Sequence, residues 1–67
     1  MKYFYEIYQE TFFRTYHVMY CPDIRTAQNH CHILTDINRP SRPYQVRPVP
    51  ADEIEAYITK EGEVKHL

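Results

Sequence analysis

The chain is predicted to be an α+β domain. A small three-stranded antiparallel sheet carries one helix packed on one face, in the order β-β-α-β, with a short helical or irregular C-terminal tail. Three observations predict it. Eight of the first twenty residues are aromatic, which suits strands better than helices. A proline–aspartate pair then opens a stretch with apolar residues at helical spacing. A further extended, alternating run follows a proline-rich break.

Residues 2–9 read as the first strand, with Tyr3, Tyr5 and Ile7 on one face and Phe4, Glu6 and Tyr8 on the other. Gln9, Glu10 and Thr11 form the connection to a second strand over 12–20, which places Phe12 and Phe13 inside that strand. No Asn-Gly or Asp-Gly specifies the turn type. Pro22 suits a first helical turn and Asp23 its cap. Ile24, Ala27, Cys31 and Leu34 then form an apolar stripe, extended on one side by His30, Ile33 and Ile37. The helix ends near Asn38, because Arg39-Pro40-Ser41-Arg42-Pro43 cannot continue it. Tyr44 to Val49 forms the third strand, and Pro48 marks it as an edge strand or ends it early. In the tail, Pro50-Ala51-Asp52-Glu53 followed by Ile54, Tyr57 and Ile58 favours a short helix over about 51–59. The competing reading is a hairpin, with Tyr57-Ile58-Thr59 and Val64-Lys65-His66 flanking Glu61-Gly62.

Sixty-seven residues make a single domain over 1–67, with its core over about 2–49 and an acidic tail over 50–67. A net charge of −1 and a high aromatic content set the chain apart from disordered segments. The opening Met-Lys-Tyr-Phe-Tyr-Glu, without a long apolar stretch, reads as neither signal peptide nor membrane span. A cytoplasmic location, inside a host cell, is therefore expected, with Cys21 and Cys31 reduced. All five arginines lie between Arg14 and Arg47 against only Asp23 and Asp36, whereas the tail is acidic. Such polarity steers association with charged partners.

Under the helix the alternation places Tyr3, Tyr5, Ile7, Tyr16, Val18 and Val46. The opposite face receives Phe4, Tyr8, Phe13, His17, Met19 and Arg47. That second face is too apolar to stand idle, and the tail, a second copy in a homodimer, or a partner is expected to cover it. Together with Arg39 and Arg42 in the loop and Asp52, Glu53 and Glu55 in the tail, these residues are the candidate partner-binding set.

Catalytic and metal chemistry find little support. His17 and Cys21 are four apart on a strand, and His30, Cys31 and His32 diverge by about 100° around a helix, so no zinc tetrad forms. These residues read as core cysteine and surface histidine, with no metal and no cofactor. A cysteine–histidine dyad, or histidine and glutamate as the acid and base of a small ribonuclease, has no local signature. A single glycine excludes phosphate-binding loops. Nucleic-acid binding is the alternative function: Phe4, Tyr8, Phe13 and Arg47, near Arg39 and Arg42, would make a single-strand stacking platform. The near-neutral charge and acidic tail oppose it.

With its β-β-α order over about residues 3–49 and Val46-Arg47-Pro48 in the third strand, the chain resembles the small host-takeover proteins of bacteriophages, which include a coliphage RNA polymerase inhibitor. The resemblance implies Arg47 as a contact position. The Tyr-rich first strand, the Pro-rich 39–43 loop and the longer acidic tail depart from that pattern. The function expected is a non-catalytic, phage- or mobile-element-encoded binding module that docks on a bacterial host or defence complex. RNA polymerase, a CRISPR effector and a restriction enzyme are the target classes.

Overall fold

Alternating aromatic and β-branched side chains build two strands, β1 (Tyr3–Glu10) and β2 (Thr15–Cys21), in a computed structural model that describes residues 2–67. Helix α1 (Ile24–Asn38) starts where the Asp23 carboxylate accepts the Thr26 backbone N–H at 2.7 Å. That bond favours the ionised form and holds the Asp23 carboxyl below its ordinary range. The helix stops at Arg39, whose N–H still donates to the Thr35 carbonyl at 2.9 Å while its φ of 44° turns the following chain out of the helix. After the Pro-rich loop, β3 (Tyr44–Pro50) pairs with β1. The sheet order is β2-β1-β3, antiparallel throughout, so the expected α+β architecture is present and Pro48 does lie on an edge strand.

The core lies between α1 and one sheet face. Ile7, Cys21 and Ala27 are fully buried there, with Tyr5, Val46, Cys31 and Leu34 packed around them. The register puts Tyr5 opposite both Cys21 and Pro48, and Ile7 opposite Met19 and Val46, so one face of all three strands meets the helix. Burial on the helix follows Ala27, Cys31 and Leu34, while Ile24, Ile33 and Ile37 remain exposed. Burial also pushes the Cys21 thiol up to about 11, with the Asp23 charge adding to the effect.

Tyr3 and Tyr16, expected under the helix, stay outside the core at 47% and 46% exposed, and three further sequence expectations are corrected. The first connection is not 9–11 but a tight turn from Thr11 to Arg14, which removes Phe12 and Phe13 from β2. Thr11 causes this: its N–H donates to the Arg14 carbonyl at 2.8 Å and its hydroxyl accepts the Arg14 N–H at 3.2 Å. Met19 moves from the open face to the helix side. A register shift between Ile7 and Tyr8 leaves Val18 without a partner in β1, and both Val18 and Met19 then pack on the core.

The third correction concerns the tail. Only Ala51–Glu53 is helical, as one 3-10 turn, and the rest forms the hairpin β4 (Ala56–Ile58) and β5 (Val64–His66). Gly62, at φ 86°, occupies the turn, where a residue with a side chain would be strained. The hairpin folds back on the domain. Tyr57 stacks on Phe4 with ring centroids 4.9 Å apart, Ile54 is buried, and His30 reaches the Thr59 carbonyl at 2.9 Å. No helix among the described residues is long and apolar enough to cross a membrane.

Candidate functional site

The open face of the sheet is organised by one carboxylate. Glu6, on the central strand, is 5% exposed, and both of its oxygens are engaged. Oε1 accepts from Arg47 Nε at 2.6 Å across β3, and Oε2 accepts from His17 Nδ1 at 2.7 Å on β2. The carboxylate beside it raises the Arg47 guanidinium above its ordinary value. Arg47 also lies 4.6 Å over the Tyr8 ring, and the Tyr8 hydroxyl donates to Gln45 at 3.1 Å. His17 in turn stacks on Tyr20 at 4.5 Å.

This face is therefore divided in two. At the Phe4 end the tail seals it, so Phe4 is 1% exposed and is removed from the partner-binding set. At the other end Tyr8, His17 and Arg47 form a partly exposed, internally satisfied network, brought together as expected but around a residue that was not singled out, Glu6. A carboxylate between Phe4 and Tyr8 on one strand face was the available signal, since a buried charge requires partners.

A second site stands at the tip of the β1–β2 hairpin. Phe12 and Phe13 are 83% and 90% exposed and meet edge to face, with centroids 5.2 Å apart. The Thr11 hydroxyl accepts the N–H of Arg14 and holds the turn closed, and Arg14 lies 4.9 Å over Tyr16. The Pro-rich loop shares this end of the sheet: Gln9 Nε2 donates to the Arg42 carbonyl at 2.8 Å, and Gln9 pairs with Tyr44 at the start of β3. Arg39 and Arg42 are exposed in that loop. Phe13 is thus exposed, but with the arginines of the loop end rather than on the sheet face. Phe12 was missed because the turn was placed too early.

The acidic candidates separate from both groups. Asp52, Glu53 and Glu55 are exposed beside the 3-10 turn, and Glu53 and Glu55 line a groove between β2 and the β4–β5 hairpin. The histidines and cysteines do not converge. His17 is bonded to Glu6, His30 to the Thr59 carbonyl and His32 to Asp36 at 3.3 Å; no group of three or more metal-ligating side chains comes together among the described residues.

Comparison with known proteins yields no family model, no curated protein and no solved structure that matches the chain.

Proposed function

We propose that this chain is a non-catalytic protein-binding module that docks through its hairpin tip. One observation carries the reading: two adjacent phenylalanines, almost fully exposed, are held on a turn that its own threonine hydrogen-bonds closed. Ordering an aromatic pair costs binding energy, and a rigid turn has met much of that cost before contact. Arg14, Arg39 and Arg42 at the same end favour a partner surface with an apolar pocket rimmed by carboxylates. The phage host-takeover resemblance supplies the target class, a bacterial enzyme or defence complex.

Nucleic-acid binding is the weaker reading, because the expected stacking platform on the sheet face does not form. Phe4 lies under Tyr57, Tyr8 carries the Arg47 guanidinium, and Phe13 is off the sheet face. The test is affinity capture from bacterial lysate with the wild-type chain and with a Phe12→Ala/Phe13→Ala variant. Recovery of a polymerase, CRISPR effector or restriction enzyme by the wild type alone supports the proposal. Equal recovery by both chains refutes it.

A further inference from the structure

The groove between β2 and the β4–β5 hairpin has a volume of about 500 Å³ and belongs to neither the Glu6 network's interior nor the hairpin tip. Val18, Ile58 and Val64 make its walls apolar, and Tyr20 and Tyr57 add aromatic surface. Glu53 and Glu55 also line it, both exposed and neither with an ion-pair partner among the described residues. No lysine or arginine lines the groove, and its one histidine is bonded to Glu6.

This combination selects among occupants. A wholly apolar side chain would leave both carboxylates without a partner, and an anion would be repelled by them. A lysine or arginine satisfies both halves: its methylene stem covers the apolar wall while its charged head reaches the carboxylates and the tyrosine rings. We infer that this groove is a docking site for a basic side chain projecting from a partner polypeptide. It is a different surface from the hairpin tip, and the two can succeed or fail separately.

The probe is the peptide Ac-Ala-Lys-Ala-NH2, titrated into 15N-labelled protein against the norleucine analogue, which keeps the stem and lacks the charge. The expected result is saturable amide shifts confined to Tyr20, Tyr57, Ile58 and Val64 with the lysine peptide. The norleucine analogue and a Glu53→Gln/Glu55→Gln variant should lower the affinity at least about fivefold, which is of order 1 kcal/mol. Both substituted positions are exposed, so an unchanged amide spectrum of the free variant verifies its fold. The Phe12→Ala/Phe13→Ala variant should bind the peptide as the wild type does. Equal shifts from the two peptides, shifts located elsewhere, or no saturable shift would overturn the inference.

Discussion

Arg47 stands directly opposite Glu6 across the β1–β3 ladder, and its Nε lies 2.6 Å from the Glu6 carboxylate. The two differ in exposure: Arg47's side chain is half-exposed, while Glu6's is 6% exposed. Removing either partner therefore has unequal effects. Arg47→Ala leaves a buried carboxylate with His17 alone, and a loss of about 1–3 kcal/mol in urea unfolding is expected. Arg47→Lys retains the charge but not the directed Nε–H bond, so it should restore only part of that loss. Full stability in Arg47→Ala would show that the pair does not hold the face.

The two groups of phenylalanine should behave oppositely. Phe4→Ala removes a buried ring from beneath Tyr57 and should cost about 3–5 kcal/mol in thermal or urea unfolding. Phe12→Ala and Phe13→Ala, at exposed positions, should each change stability by less than about 0.5 kcal/mol. A large loss at the tip would mean the pair is structural.

The Cys21 thiol, pushed by burial from its ordinary 9.0 up to about 11, binds its proton more tightly in the folded chain than in the unfolded one. Its contribution is fully present below pH 9 and is lost as the pH rises through about 11. Denaturation midpoints should therefore fall across this alkaline window, with a shallower fall in Cys21→Ala. The same burial predicts slow alkylation of Cys21 by iodoacetamide at pH 8 in the native chain and rapid alkylation in urea. Equal rates would contradict the burial.

Arg39 ends the helix in a left-handed conformation that residues with a Cβ rarely adopt, and glycine is the usual occupant there. Arg39→Gly should leave stability unchanged or raise it by up to about 1 kcal/mol. If the loop arginines contact a partner, the same variant should bind that partner more weakly. Such a divergence between stability and binding separates a contact role from a capping role; parallel loss of both would refute it.

The β-β-α-β order and the helix were legible because proline, aspartate and apolar spacing act locally. Asp23 caps and Arg39-Pro40 terminates α1 whatever the rest of the chain does. The placement of side chains on faces was less legible, because a single unmatched residue resets it. The shift at Val18 carried Met19 to the helix side, and no local residue preference announces such a bulge. The tip was misplaced because Phe12 and Phe13 have high strand propensity, yet the Thr11 hydroxyl offers the backbone an alternative that wins. In the tail it is the competing hairpin reading, not the favoured helix, that forms. Ala51 to Ile58 has helical spacing in isolation, but pairing with β5 and the Phe4–Tyr57 stack supply long-range contacts that spacing cannot express.

Pro48 and Pro50 on β3 have a consequence for crowding. A strand added to that outer edge by another molecule would find two backbone positions with no N–H to offer. At the opposite edge, the irregularity at Val18 disturbs the run that an incoming strand would need to follow. The three-stranded sheet thus resists growth by strand addition on both flanks, so the exposed rings at its tip offer association through side chains rather than through the backbone of that sheet.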